Sequence, residues 1–257
     1  MSTLFKIIGC EFNMSIRRWG MWVVFGVLCL VYLTLIVGNA AETVPAEYGI
    51  ADWWKDAAVL AFQMNLFLPV AGGILASDRL VRDWNLNVIE LLRSTPLGRR
   101  KYIFGKYIGT LFSLLAPVLL LGAVIALVCI ALGAPWFYLP MLLVAFLAIN
   151  VPAYAFLTVF SLACPLVMPL RVYQVLFTGY WFWGNFLNPE AIPTLAGTLL
   201  TPGGRFAMEG IFGANLSGPV PEHTLPEALA NWFVLGLCIA AVFIVLDRYL
   251  ARQERRD

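Results

Sequence analysis

Charged residues are scarce in this chain: they make up 12% of its 257 residues, whereas 61% are hydrophobic and the mean hydropathy is +0.83. Soluble domains carry roughly twice that share of charge, about 25%. So few polar side chains cannot cover a globule in water, which excludes an ordinary soluble domain. The composition therefore predicts a membrane protein whose apolar surface is covered by lipid.

Catalytic and metal-binding motifs are also missing. The one histidine, His223, lies in a proline-rich stretch that predicts a solvated loop, and neither HExxH nor GxSxG occurs. The five cysteines are scattered without a CxxC pair, which favours packing residues over disulfides or a thiolate metal site. We predict no catalytic residue and no metal ligand, and a metalloprotease or serine hydrolase is poorly supported.

A phosphate-binding loop is absent as well. Residues Gly98 to Lys106 contain glycines and a lysine, but a P-loop needs GxxxxGK followed by Ser or Thr. Here the spacing differs, and Tyr107 follows Lys106. We therefore predict no nucleotide-binding site and no other cofactor site in this chain.

Long apolar runs dominate what is present. A helix needs about 20 apolar residues to cross the hydrocarbon core of a bilayer. Six runs are candidates, and the fifth is short and interrupted by polar residues. They are Gly20–Gly38, Ala57–Ala76, Tyr107–Leu132, Phe137–Ala163, Val172–Leu187 and Asn231–Leu246.

The basic residues are distributed unevenly between the loops. Lys and Arg concentrate before span one, between spans two and three, between spans four and five, and after span six, while Lys55 and Arg205 are the exceptions. By the positive-inside rule both termini are cytoplasmic, which requires an even number of spans. Six spans satisfy this condition.

Residues 1–19 lack the pattern of a cleaved signal peptide, so we expect them to be retained. Residues Thr3–Arg18 instead predict an amphipathic helix that lies in the cytoplasmic interface, its basic side facing lipid headgroups. A frayed, solvated N-terminus is the alternative. The apolar face would hold Leu4, Phe5, Ile8, Phe12 and Ile16.

The loop from residue 188 to residue 230 is rich in proline and glycine and too polar to span. Two apolar stretches in it predict one or two short helices, outside the membrane or partly re-entrant. Backbone at that depth must be covered by protein, so the loop should pack on its own spans.

The segment 77–106 carries the densest charge in the chain. Apolar spacing predicts a helix over Asp78–Arg93, and Pro96 ends it near Ser94 because the residue before a proline avoids helical geometry. A second helix begins at Pro96 and runs into span three. Two interpretations stay open from the physics alone: a rigid element that passes a push into the bilayer, or a solvated surface that merely satisfies the positive-inside rule.

The sequence "ELLRSTPLGRRKYIFGKYIG" resembles the first cytoplasmic loop of type-2 ABC transporter permeases. Arg93 departs from the pattern, because the family often has an apolar residue there. Glu11, in the N-terminal helix, corresponds to an acidic residue of the family's elbow helix. The matching loop residues are Glu90, Leu91, Leu92, Ser94, Thr95, Pro96, Leu97, Arg99, Gly105 and Lys106.

The resemblance implies a coupling helix that docks on a separate, cytosolic ATPase subunit; residues Glu90 to Leu97 would make the contact. ATP and Mg²⁺ would bind to that partner and not to this chain. The resemblance also implies a dimer with a second copy or a related permease, a location in the cell membrane, and export as the direction of transport.

Polar residues inside the spans are candidates for a substrate pathway. The resemblance places spans two and five across that pathway, which makes Gln63, Asn65, Gln174, Thr178 and Tyr180 the candidate lining residues. Hydrogen bonding within one subunit is the alternative for each of them. No span carries a buried charge, which favours an apolar, amphipathic or lipid-like cargo over a bare ion.

A stripe of small residues occurs at the start of span three. Gly105, Gly109 and Ser113 follow one another at intervals of four, so they share one face of a helix. Such a stripe permits close contact between helices in lipid. We predict close helix packing there.

The prediction is thus one all-α membrane domain over residues 1–257. It has six transmembrane helices, an interfacial elbow helix, a cytoplasmic coupling helix and short extracellular or re-entrant helices before the last span. Lipid surrounds it, and no nucleic acid is expected as a partner. The rival classes are a secondary transporter, which usually shows intramembrane ionisable residues, and a membrane anchor or sensor that recruits a cytosolic protein.

Overall fold

The computed structural model describes residues 3–40, 48–86, 98–187, 191–216 and 222–253; within these ranges ten α-helices and no strand occur. The fold is all-helical, as predicted. A short 3₁₀ turn, Cys164–Leu166, extends α7. The helices are α1 (Thr3–Ile16), α2 (Trp19–Ala40), α3 (Ile50–Met64), α4 (Leu68–Ala76), α5 (Arg79–Asn85), α6 (Arg99–Ala131), α7 (Tyr138–Ala163), α8 (Leu170–Asn185), α9 (Arg205–Phe212) and α10 (Leu225–Gln253).

Three of these helices are long and apolar enough to cross a membrane: α6, α7 with its 3₁₀ extension, and α10. The number rises to five if each of two bent pairs, α1 with α2 and α3 with α4 and α5, forms one span. Helix α8 has 16 residues, fewer than the roughly 20 of a typical span. The chain is a multi-pass membrane protein by these measures, and the layout of six spans stays a prediction.

The core lies where α3, α6 and α7 meet. Ala57 and Ala61 of α3 and Ala145 and Ala153 of α7 are fully buried. Small side chains let helix backbones approach closely, which is how helices associate in lipid without a hydrophobic driving force. The alanines therefore hold α3 against α7 along much of its length.

The second predicted span, Ala57–Ala76, is not one continuous helix. Helix α3 ends at Met64, α4 begins at Leu68, and the two segments bend by 42°. Pro69 explains the break, because a proline nitrogen has no hydrogen to donate to the carbonyl four residues earlier, at Asn65. The prediction of a straight span overlooked this proline.

Helix α1 meets α2 at an angle of 64°, and it packs closely on α6. Phe5 is 62% exposed, whereas Glu11 and Ser15 are buried. Of the predicted apolar face, Leu4, Ile8, Phe12 and Ile16 are partly buried and only Phe5 is exposed. A basic partner for Glu11, described below, makes the burial of a carboxylate possible.

Two further boundaries differ from the sequence prediction. Helix α5 covers Arg79–Asn85, and the rest of the predicted helix Asp78–Arg93 lies outside the described residues, as does the break at Pro96. In the loop before the last span the structure describes one short helix, α9, and α10 begins at Leu225 rather than at Asn231.

Candidate functional site

A cluster of buried ions joins the N-terminal helix to both sides of the predicted coupling segment. We call it the Lys106 cluster. Its members come from α1, α5 and α6, and three of them are at least 95% buried. They are Glu11, Arg79, Asp83, Tyr102 and Lys106.

Lys106 is the centre of this cluster. It lies in the second turn of α6 and is 2% exposed. Its Nζ donates a hydrogen bond to Glu11 Oε2 at 3.1 Å and another to a carboxylate oxygen of Asp83. The Tyr102 hydroxyl donates to the same Asp83 oxygen. One ammonium group thereby connects α1 with α5, which are neighbours in space but far apart in sequence.

A second buried cation, Arg79, lies on the other side of Glu11. Its Nη1 is 3.6 Å from Glu11 Oε1, an ion pair without a hydrogen bond. Arg18, in the turn between α1 and α2, pairs with Asp78 at 2.9 Å. Two ion pairs, Arg79–Glu11 and Arg18–Asp78, thus fasten the beginning of the predicted coupling segment to α1 and to the turn that follows it.

Glycines of α6 make this arrangement sterically possible. A Cβ atom on Gly105 would lie 2.9 Å from Ile7 Cγ2, and one on Gly109 would lie 2.7 Å from Glu11 Cβ and 2.9 Å from the carbonyl oxygen of Ile8. Real Cβ atoms do not approach so closely, so α1 can rest on α6 only because both positions lack a side chain. Ser113, the third member of the predicted stripe, is buried and donates to the carbonyl of Thr110.

The far end of the coupling segment is held by the last helix. Arg99 Nε donates to Asp247 of α10 at 2.8 Å, and Arg100 Nε donates to the other oxygen of the same carboxylate at 3.1 Å. The described chain is therefore fastened at Asp83 before residues 87–97 and at Arg99 and Arg100 after them. The predicted ATPase-contacting residues, Glu90, Leu91, Leu92, Ser94, Thr95, Pro96 and Leu97, lie outside the described residues.

The predicted pathway residues fall into two groups. Gln174 and Thr178 lie one turn apart on α8, where Gln174 donates to the hydroxyl of Ser77 and Thr178 donates to the Gln174 carbonyl. Tyr180, also on α8, is partly buried, and Gln63 of α3 is exposed. Asn65 differs from these four, because it is fully buried and bonded inside the subunit.

Asn65 forms the second polar cluster, the Asn65 node, with Asn150, Trp181 and Gly203. Its side-chain amide donates to the carbonyls of Ile149 at 3.3 Å and Gly203 at 3.1 Å, and its side-chain oxygen accepts from Asn150 at 2.7 Å. The indole of Trp181 donates to the Asn65 backbone carbonyl at 3.0 Å. This is the carbonyl that Pro69 cannot reach as a donor, so Trp181 satisfies the group that the proline leaves free.

A third group of ionisable residues lies at the end of α9. Glu209 is buried, and its carboxylate accepts from Arg205 at 2.7 Å and from the backbone N–H groups of Glu222 and His223. Ligand atoms of Glu209, Glu222 and His223 lie close enough together to hold a metal ion. The Arg205 guanidinium already pairs with both of the carboxylates, which favours a structural ion pair.

The prediction of a solvated His223 is wrong. Its side chain is 14% exposed, and its ring stacks on Phe206 with the ring centres 4.0 Å apart. Burial of Glu209 draws the backbone of residues 222 and 223 against α9, because their N–H groups bond to its carboxylate. The loop is thereby folded onto the helix, which a reading of proline content alone does not reveal.

Sequence reasoning missed the Lys106 cluster as a unit. Glu11 was identified as an acidic residue of the elbow helix and Lys106 as part of a loop motif, without a link between them. Two signals were available: an acidic residue midway along an amphipathic helix, and a lysine within a run of small residues at the start of a span. Neither signal identifies the partner, since the two residues are 95 positions apart.

Comparison with known proteins gives the chain its family. A search of curated proteins found no match to the chain. A family model described as "ABC-2 family transporter protein" matches residues 7–183, which is more than half of the chain. The matched region contains helices α2 to α7, most of α1 and every member of the Lys106 cluster. The chain belongs to the ABC-2 family of transporter proteins, as a membrane permease.

Proposed function

We propose that this permease is driven by a separate ATPase subunit that contacts the segment from Glu90 to Leu97 in the cytosol. The observation that carries the proposal is the fastening of this segment at both ends, through the Lys106 cluster on one side and Asp247 on the other. A loop anchored in this way moves together with α1, α5 and α6. A push on the loop would therefore reach the spans instead of being absorbed by a flexible connection.

The expected mechanism is alternating access. Closure of two ATPase subunits around ATP would displace residues 87–97, and the anchored helices would follow as a unit. The movement changes which side of the membrane the pathway faces, because ATP binding favours one of two conformations. ATP and Mg²⁺ belong to the partner subunit in this scheme.

The assembly is a dimer of permeases, either two copies of this chain or one copy with a related chain, in the cell membrane with both termini cytoplasmic. We propose export as the direction. Four candidate lining residues, Gln63, Gln174, Thr178 and Tyr180, are not fully buried in the single subunit, which is compatible with a place at the pathway. Asn65 would contribute only if its bonds within the subunit opened. A mostly apolar set of spans favours an amphipathic or lipid-like cargo.

Co-purification and ATP hydrolysis test the coupling. Glu90→Lys and Leu92→Lys should abolish the stimulation of the co-purified ATPase by the permease while the chain still inserts, because both changes fall in the proposed contact. Lys101→Glu is the matched control: it also reverses a charge, on an exposed residue of α6 a few positions away. Undiminished stimulation in both contact variants, or transport without any ATPase, would contradict the proposal.

Labelling of single cysteines tests the orientation. In a variant without the five native cysteines, Leu86→Cys at the end of α5 and Trp136→Cys between α6 and α7 place two exposed thiols on opposite sides of one span. In intact cells a membrane-impermeant maleimide should react with the cysteine at position 136 and reach position 86 only after permeabilisation. The reverse pattern would overturn the orientation, and with it the proposed cytosolic contact from Glu90 to Leu97.

A further inference from the structure

The break in the second span divides it into two mechanical parts. The sequence explains the break, because Pro69 has no N–H group to donate a hydrogen bond to the Asn65 carbonyl, and a new helix, α4, begins at Leu68. The part before the break, α3, packs into the core beside α7. The part after it, α4, leads through Ser77 and Asp78 directly into α5 and the Lys106 cluster.

Helix α4 is seated by two consecutive glycines. A Cβ atom on Gly73 would lie 2.1 Å from Phe177 of α8, and one on Gly72 would lie 3.1 Å from Tyr154 of α7. No side chain larger than hydrogen fits at Gly73 without displacing Phe177. Helix α4 therefore rests directly on the rings of Phe177 and Tyr154, so a displacement of α4 presses on α8 and α7.

On the other side of the break lies a buried piece of the loop before the last span. We call residues 201–212, which comprise Thr201–Gly204 and α9, the inserted segment. Its residues Thr201 to Gly204 are all buried. A Cβ atom on Gly204, where φ is +93°, would lie 2.6 Å from Ile149 Cγ2 and 3.3 Å from the Asn65 amide nitrogen. The backbone of this segment therefore reaches the middle of the bundle, at the break itself.

Asn65 lies at the break and forms hydrogen bonds with α7, with α8 and with the inserted segment. Its amide donates to Gly203 in the inserted segment and to Ile149 in α7, while its backbone carbonyl accepts from Trp181 in α8. A buried amide that loses such partners leaves unpaired groups in an apolar interior, which costs about 1–3 kcal/mol for each group. The node therefore resists the separation of α7, α8 and the inserted segment from the break between α3 and α4.

We propose that Asn65 is a positioning residue that links movement of α4 and α5 to the inserted segment. The biological use of this link, to open or close the side of the pathway opposite the ATPase, rests on the proposed function. In physical terms, loosening α5 at the Lys106 cluster loosens residues 201–212, and the effect passes through the Asn65 amide.

Amide hydrogen exchange of the purified full chain in lipid nanodiscs tests the link without an ATPase. Asp83→Asn weakens the bonds of α5 to Lys106 and Tyr102, so exchange should accelerate in residues 79–86. It should also accelerate in residues 201–212 by about fivefold, the lower end of usual couplings between distant sites. Unchanged exchange in residues 201–212 would overturn the inference, and this comparison needs no change at Asn65.

Asn65→Leu then identifies the route. In this background Asp83→Asn should still accelerate exchange in residues 79–86, but the additional acceleration in residues 201–212 should disappear. The matched control is Asn231→Leu, because Asn231 also anchors the same loop, through the carbonyls of Leu199 and Thr201, but lies on α10 away from the break. The response to Asp83→Asn should survive in the control.

Other outcomes are equally decisive. An undiminished response in Asn65→Leu means that the coupling passes through direct packing of α7 and α8, which refutes the role of Asn65. Asn65→Ala, which leaves less bulk in the core, answers the same question if the leucine variant does not accumulate. Because no ATPase is present, failure of this test leaves the proposed function standing, and failure to co-purify an ATPase leaves the measured link standing.

Discussion

The Lys106 cluster and the Asn65 node each tie several helices together, but the first is built from ions and the second from neutral amides. Lys106 lies near the beginning of α6, next to Arg99 and Arg100, which have contacts at the surface. Asn65 lies within a bent span and bonds only to groups of the bundle interior. Ions occur at the end of the bundle, and amides occur inside it.

The difference follows from the cost of removing charge from water. An unpaired ion inside hydrocarbon is far more costly than an unpaired amide, so charges are kept near the border or in tightly paired groups. A hydrogen bond from a side-chain amide to a neighbouring helix contributes modestly, on the order of 1 kcal/mol, but it can form at any depth in the membrane. Consequently the ion cluster should respond strongly to the loss of one member, and the amide node should respond weakly.

The largest effect on stability should come from Lys106→Met. The change leaves Glu11 and Asp83 without their shared cation, and breaking a buried pair by removing one partner costs about 3–5 kcal/mol. The melting temperature of the purified permease in detergent should fall by many degrees. A wild-type melting temperature would show that water or lipid headgroups already satisfy these carboxylates.

A combined variant distinguishes lost pairing from lost packing. Adding Glu11→Gln, Arg79→Met and Asp83→Asn to Lys106→Met removes the orphaned charges together with the second buried cation, and apolar or neutral replacement of a whole buried ion group is often nearly neutral. The melting temperature should recover most of the loss. If it falls further instead, the methylene stem of Lys106 and not its charge holds the helices together.

The next largest effect should come from Gly109→Leu. A side chain at this position collides with Glu11 and with the backbone of Ile8, so α1 must leave α6, and overpacking of this kind costs about 1–3 kcal/mol. Loss of contact should also expose a cysteine introduced by Ser15→Cys of α1, a position that is fully buried, to faster thiol labelling. Gly26→Leu is the control, because Gly26 of α2 has open space around it, and its labelling and melting temperature should match the wild type.

A smaller effect on stability is expected from Asn65→Leu. The substitution removes three side-chain hydrogen bonds and leaves partners without a donor or acceptor, but no ion is orphaned. Bonds of this type between helices in membranes are worth about 0.6 kcal/mol on average. A loss of about 1–2 kcal/mol, below that of Lys106→Met, should appear in thermal unfolding; a larger loss than for Lys106→Met would reverse the ranking of the two clusters.

The smallest effect should come from Asp247→Asn. Its carboxylate pairs with Arg99 and with Arg100, whose side chain is 86% exposed, and ion pairs in contact with water contribute about 0–1 kcal/mol. The melting temperature should scarcely change, although a coupling assay can still detect a looser end of residues 87–97. A destabilisation as large as that of Lys106→Met would mean that this pair is shielded from water.

Part of the architecture could be predicted because it depends on local patterns. Apolar runs identified α2, α6, α7 and α10, and a high density of charge marked the segment 77–106. The bend at Asn65 was also within reach, since Pro69 inside an apolar run predicts a broken helix. Hydropathy alone does not predict this bend, because it is an average over many residues and does not register a single missing N–H group.

The buried face of α1 could not be predicted from periodicity. A helical wheel shows which residues share one side of the helix, but it does not show that Glu11 is buried against α6. Its actual position depends on Lys106 and on two glycines of α6, which only the folded chain brings together. The same limit applies to His223, whose stacking on Phe206 follows from a distant buried carboxylate.

The sequence by itself determined that the chain is a membrane protein and which family it belongs to, because composition and contiguous motifs do not depend on contacts with distant residues. Only the tertiary structure decided that Glu11 neutralises Lys106 and that Asn65 joins the broken span to the inserted segment. Both depend on helices that are remote in sequence approaching to within hydrogen-bonding distance. How closely these helices approach depends on glycines, which let two backbones come together. Those contacts are seen only in the folded structure.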